Sequence, residues 1–317
     1  MSHQKQNPRM VDGIFLLNKS RGVSSNHALQ RVKHLFAAKK AGHTGILDPL
    51  ATGVLPVCFG EATKLSRYLL NSEKGYHSIF KLGVETDTAD SEGRIISTYD
   101  ASSITEGLIR ETMDQFLGNT TQIPPMYSAL KYNGQPLYKY ARKGLDINRQ
   151  PRPIKVYEYK IMSFRSGVAA DLEVKIRCSK GTYVRGLASD LGQLLRCGAH
   201  VSKLHRFAVG PFSDEISISL AELRDSYSQK GITACDERLL PVDYALNTMP
   251  QVTIDNKTAA RLQKGQSVLL SKGFNLEGEG DIVRVFDNNL TFLGVGSVRD
   301  SRVLVPKRLV AAKNIGN

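Results

Sequence analysis

The chain is poor in the residues and spacings on which several protein classes depend. Its four cysteines (Cys58, Cys178, Cys197 and Cys235) are widely separated and form no C-x-x-C pair. That argues against a disulfide framework and for buried, reduced thiols. None of its seven histidines falls in a metal-ligand spacing such as H-E-x-x-H. No window approaches 18 consecutive apolar residues, so no membrane-spanning helix is encoded. Met1 to Arg9 is polar and lacks the apolar stretch of a secretory signal. There is no G-x-x-x-x-G-K-[ST] phosphate loop and no G-x-S-x-G nucleophile elbow, and Gly294-Val-Gly296 lacks the third glycine of a dinucleotide site. The acidic run Asp87 to Gly93 departs from the calcium-loop pattern. These absences lead us to expect a cytoplasmic protein without metal or cofactor.

What is present is length, core material and positive charge. The 317 residues are 41% hydrophobic, enough for two domains or one large domain with an appendage. The net charge is +13, which suits a polyanionic partner. Residues 121–165 carry nine Lys or Arg against Asp146 and Glu158, interleaved with Tyr127, Tyr132, Tyr138, Tyr140, Tyr157 and Tyr159. Two readings fit: an RNA-binding surface that pairs phosphate contact with base stacking, or a solvated face with tyrosines packed inward.

Patterning predicts a strand over Val11 to Asn18, a helix over Ser24 to Phe36 and a strand over Val54 to Phe59. A short helix over Glu61 to Leu70 and a longer strand over Lys74 to Glu85 follow. Ser103 and Glu106 form a capping-box pattern for a helix over Ile104 to Leu117. Residues 119–153, rich in proline and glycine, read as a long insertion with a turn at Asn133-Gly134 and a helix near Leu137 to Lys143. A strand through Leu172 to Cys178, a helix over Val184 to Leu195 and a strand over Val201 to Val209 complete the main body. Beyond about residue 248, short strands and one helix (Lys257 to Lys264) form a small β-rich module. The fold class expected is α+β, a mixed and largely antiparallel sheet with flanking helices, with domains at 1–247 and 248–317.

Gly42-His-Thr-Gly-Ile-Leu-Asp-Pro-Leu-Ala-Thr-Gly-Val-Leu55 is the most informative stretch. Three glycines and a proline make the segment neither a clean helix nor a clean strand, and it holds a single carboxylate, Asp48. It is either an ordinary turn in which Asp48 caps a backbone N–H, or a rigid loop displaying a nucleophile.

This segment closely resembles the catalytic motif of the TruB type of tRNA pseudouridine-55 synthases, and the likeness runs almost end to end. Leu17-Asn-Lys19-Ser-Arg-Gly22-Val-Ser24-Ser25, Gly75-Tyr76, Gly83 to Gly93, Gln122-Ile-Pro-Pro-Met-Tyr-Ser-Ala-Leu-Lys131, Cys178 to Arg185 and Ser202-Lys-Leu204-His-Arg206 match further motifs in order. Val303-Leu-Val-Pro-Lys-Arg308 is a weaker match to the family's PUA-like RNA-binding appendage. Two positions depart from the pattern: Ser20 stands where proline is usual, and Ile46 where the residue is commonly small.

The resemblance implies a pseudouridine synthase core that acts on the T-arm of tRNA as a monomer, without cofactor or metal. Asp48 would form a covalent adduct with the target uridine, at C6 of the base or C1′ of the ribose. Arg185 would pair with Asp48, His43 would help open the RNA loop, and Tyr76 would stack on the extruded base and serve the later proton transfer. Tyr183 and Leu204 would line the base pocket, and Lys19 would be mainly structural. Lys131, Lys139, Arg142, Lys143, Arg149 and Arg152, in the insertion called the thumb, would grip the RNA. Two rival readings are the catalytic subunit of a guide-RNA-directed particle, which lacks an equivalent thumb, and an RNA-binding or RNA-folding protein without essential catalysis.

Overall fold

The computed structural model describes residues 7–270, 282–300 and 302–311. Most of the polar Met1 to Arg9 stretch lies outside them. The apolar run Ile14-Phe15-Leu16-Leu17 forms β1 (Gly13–Lys19). Its residues alternate between two cores, Phe15 and Leu17 in one, Ile14 and Leu16 in the other, as a two-residue period requires. Helix α1 (Ser25–Leu35) starts where the Ser24 hydroxyl accepts from the His27 N–H at 3.2 Å. Strands β2 (Ala41–His43) and β3 (Thr52–Phe59) bracket the loop that carries Asp48. A 3₁₀ turn (Gly60–Leu65) and α2 (Ser66–Asn71) lead into β4 (Lys74–Leu82).

Gly83, at φ +89, ends β4, so the strand expected to reach Glu85 breaks into β4 and a hairpin of β5 (Val84–Thr86) and β6 (Ile95–Thr98). The capping box expected at Ser103 is not formed. Thr105 caps α3 (Glu106–Asp114) instead, its hydroxyl accepting from the Leu108 N–H at 3.3 Å, and the helix is shorter than its apolar pattern at both ends.

Strand β7 (Gly118–Gln122) precedes the insertion. There β8 (Lys131–Tyr132) and β9 (Gln135–Pro136) flank the Asn133-Gly134 turn, both turn residues at positive φ, and α4 (Leu137–Ala141) follows. Residues 119–122 and 152–153, read as part of the insertion, belong to the sheet, because β10 (Arg152–Arg165) runs 14 residues and pairs with β7 from its first residue. Strand β11 (Asp171–Cys178), α5 (Val184–Leu194) and β12 (Ala199–Val209) complete the set that frames the site. Two short strands, β13 (Phe212–Ser213) and β14 (Ile218–Ser219), and helices α6 (Leu220–Lys230) and α7 (Ile232–Asp236) close the main body.

The main sheet has the order β14-β1-β3-β12-β4-β11-β10-β7, with β2 and β13 attached at its sides. Only the β1–β14 and β3–β12 contacts in it are parallel. One face is covered by α1, α3 and α5 and holds the larger core. In β11, Leu172, Val174, Ile176 and Cys178 point into that core, while Asp171, Glu173, Lys175 and Arg177 face outward.

The second sheet is the expected β-rich module. It contains β15 (Gln251–Ile254), β16 (Val268–Leu269), β17 (Ile282–Asp287), β18 (Phe292–Arg299) and β19 (Val303–Leu309), with α8 (Asn256–Gln263) beside it. The module docks on the other face of β1 and β3, where Val295 and Val310 join Ile14, Val54, Leu65 and Leu69 in one apolar cluster. The Ala311 N–H donates to the Glu61 carboxylate across this contact.

One glycine is essential to the sheet's centre. Gly53, at φ +101, lies against the backbone of Arg206 so closely that a Cβ would sit 2.2 Å from the Arg206 carbonyl oxygen. Only hydrogen fits there, and that lets β3 and β12 meet beneath the Asp48 loop.

Candidate active site

The loop between β2 and β3 is clamped at nearly every residue. The Thr44 N–H donates to Pro56 O at 3.1 Å, and the Ser25 hydroxyl both accepts from the Leu47 N–H at 2.8 Å and donates to Leu47 O at 2.9 Å. The Ala51 N–H closes a turn onto Asp48 O, and the Gly22 N–H reaches Pro49 O. Lys19, 1% exposed, donates its ammonium to Ser20 O (2.9 Å), Val23 O (2.8 Å) and Pro49 O (3.4 Å). Burial lowers its pKa to about 8. The acceptor at position 20 is a backbone carbonyl, which a proline there would supply equally. Buried Thr44 and Leu47 anchor the loop while Ile46 points outward, 57% exposed.

Asp48 emerges from this clamp half-buried, and its carboxylate accepts from Arg185 Nε at 2.8 Å. Arg185 is 3% exposed, and every arm of its guanidinium is engaged: Nη1 donates to Thr88 O at 2.9 Å, and Nη2 to Tyr127 O at 2.7 Å. A second carboxylate, buried Asp90, lies 3.7 Å from Arg185 Nε. One cation therefore joins the Asp48 loop, the β5–β6 hairpin and the root of the insertion. Asp90 was not singled out from sequence, although it is the aspartate of the Gly83 to Gly93 motif; that match was the available signal.

Arg185 lies near the start of α5, whose first turn has no side-chain cap of its own. Gln122, buried at the end of β7, stands in. Its amide donates to Tyr183 O at 3.0 Å and accepts from the Tyr183 N–H at 2.8 Å. Gly186 permits this approach, since a Cβ there would lie 2.6 Å from the Gln122 amide nitrogen.

Tyr76, on β4, is 9% exposed, and burial pushes its phenol up to about 12 against the partly opposing charge of Arg206. Asp48 acts on the same hydroxyl electrostatically. Tyr183, also within reach of the Asp48 charge, has its phenol raised by burial. Leu204, on β12, is 7% exposed in the same core cluster as Tyr76. Beside the loop lies a cavity of about 270 Å³, lined in part by Leu50, Thr52, Ser78 and Leu204. His43, at the loop's entry, is half-buried with its Nδ1 lacking a partner among the described residues. Burial, then the charge of Arg206, lowers its pKa, which favours a neutral ring able to stack on a base.

In the insertion, Lys131, Lys139, Arg142, Lys143 and Arg152 are exposed, with Arg142 over the Tyr138 ring at 5.4 Å. Arg149 differs. Its guanidinium donates to Ile147 O, Pro124 O and Asp146, stitching the insertion to itself.

The sequence that builds this site has relatives. Residues 33–184 match the family model described as TruB family pseudouridylate synthase (N terminal domain). A protein of Saccharophagus degradans called tRNA pseudouridine synthase B is 48% identical over 98% of this chain and 99% of its own length. The chain belongs to the TruB family of pseudouridylate synthases. Residues 185–247 and 250–310 match the TruB family's two C-terminal models. A relative of the same name from Coxiella burnetii is 42% identical, covering 98% of each chain. Among solved structures, a Cbf5-Nop10-Gar1 complex aligns with a TM-score of 0.71 at 26% identity, over 95% of this TruB-family chain and 84% of that one. A structure of an H/ACA RNP bound to a substrate RNA containing 2′-deoxyuridine aligns with the same TM-score at 24% identity, over 95% of this chain and 86% of that one, a likeness of fold.

Proposed function

We propose that this chain converts uridine 55 in the T-loop of tRNA to pseudouridine, with Asp48 as the nucleophile. The observation that carries the reading is the Asp48–Arg185 contact at 2.8 Å, made on a clamped loop next to Tyr76. Full-length relatives named tRNA pseudouridine synthase B support the substrate class.

The chemistry fits the residues. The N1–C1′ bond breaks, the base turns, C5 bonds to C1′, and the C5 proton is lost while N1 gains one. Attack by Asp48 at C6 or at C1′ needs a carboxylate oxygen held in place, and the Arg185 Nε–H fixes it at 2.8 Å. The base must first leave its stack, at a cost of about a few kcal/mol. Stacking on Tyr76 offsets about 1–3 kcal/mol of that, with neutral His43 closing the gap left behind.

The insertion favours a stand-alone enzyme over a guide-directed subunit. Purified protein incubated alone with an unmodified tRNA transcript should form pseudouridine at position 55 when the product is mapped. Modification only after a guide RNA is added would overturn this reading.

Replacing Lys139, Arg142 and Lys143 with Ala should weaken RNA binding and flatten its salt dependence. Loss of three phosphate contacts reduces the slope of log K against log salt by about 2. An unchanged slope would move the RNA contact elsewhere.

A further inference from the structure

Arg206, in the middle of β12, heads the protein's fully buried side chains by volume, at 1% exposure. A buried guanidinium is costly unless its donors are used. Nε donates to Val54 O at 2.9 Å and Nη1 to Ile46 O at 3.4 Å. Nη2 is sealed from solvent and has no hydrogen bond of full geometry among the described residues. Arg206 stands opposite Tyr76 across β12 and β4; burial lowers its pKa, against the opposing influence of the Tyr76 phenol and the Asp48 carboxylate. The Arg206 charge is felt by Lys19, His43 and Lys74.

Ile46 lies in the loop, two residues before Asp48, and Val54 lies in β3 beyond it. One rigid, planar fork therefore ties the loop to the strand that follows it, opposite Tyr76 on β4. One glycine fits the neighbouring strand around it: Gly53 packs directly on the Arg206 backbone. A neutral side chain of similar size would fill the space without holding either carbonyl.

We propose that Arg206 is a positioning residue for pseudouridine formation, fixing the Asp48 loop and the Tyr76 phenol in one relative geometry. This rests on the reading that Asp48 and Tyr76 act on the uridine. Arg206 does not itself reach the substrate. It acts through the atoms that do, and a misplacement of about 1 Å costs on the order of 100-fold in rate.

The test is R206M and R206K in the full chain, measured for tRNA affinity, single-turnover pseudouridine formation at saturating enzyme, and melting temperature. R206M should bind tRNA within about 3-fold of the parent while its single-turnover rate falls on the order of 100-fold. R206K keeps the charge but cannot span both carbonyls, so it should recover about 10-fold of that loss. A rate for R206M within about 3-fold of the parent would overturn the proposal. So would affinity falling in step with rate, which marks a general loss of structure. If R206M does not fold, R206K decides alone: a slower rate at unchanged affinity supports the proposal, and a parental rate overturns it. D48N run alongside keeps the two readings apart. Turnover by D48N sinks the nucleophile assignment, whereas the Arg206 arms are judged by their own rates and affinities.

Discussion

Asp48→Asn is expected to abolish tritium release from C5-labelled uridine in a T-arm transcript, a loss on the order of 10⁴-fold or more. The substitution keeps the volume and one oxygen that can accept from Arg185 Nε, 2.8 Å away in the parent. It removes the negative charge and the nucleophilic oxygen together. The clamp on the loop is made by Ser25, Lys19 and backbone groups rather than by the carboxylate, so the fold should survive. RNA affinity, which rests mainly on phosphate contacts, should stay within about 3-fold. Turnover above about 1% of the parent rate would remove Asp48 from the nucleophile's role.

Arg185→Met should have the next largest effect, and on two properties at once. It leaves Asp48 and buried Asp90 without their common cation, and Thr88 O and Tyr127 O without a donor. Removing one partner of a buried ion pair costs about 3–5 kcal/mol of stability, because the other charge stays behind unpaired. Denaturant unfolding should show that loss as a lower midpoint. The single-turnover rate should fall on the order of 10³-fold even at temperatures where the variant is folded. A variant of parental rate would mean that Asp48 needs no contact with Arg185 to act.

How far the sequence disclosed this arrangement differs by residue. The Asp48–Arg185 pair was expected from ordered motifs 137 positions apart, and the two atoms meet at 2.8 Å. Asp90 stands in a segment that fails the calcium-loop pattern and matches a family motif, neither of which assigns it a partner; its proximity to Arg185 comes from the fold of the β5–β6 hairpin. Arg206 stood within a quoted motif, but nothing in its neighbours told that an arginine would be wholly buried. Among elements, β10 was hidden by Pro151 and Pro153, which read as loop. Pro153 is tolerated because β11 pairs with β10 only from Val156 onward, leaving the strand's start with a single neighbour. The capping box of α6, Ser219 with Glu222, is formed in full, yet α6 carries too little apolar periodicity to stand out. Thr105 outcompeted Ser103 as the cap of α3 since both precede the same apolar face.

The bond from Arg185 Nη2 to Tyr127 O has a mechanical consequence. Tyr127 sits near the root of the insertion whose outer half carries exposed lysines and arginines. Displacing Tyr127 would pull one strut from the guanidinium that braces Asp48. The insertion and the Asp48 loop are thus mechanically coupled through one side chain, and a strain applied to either is felt by the other.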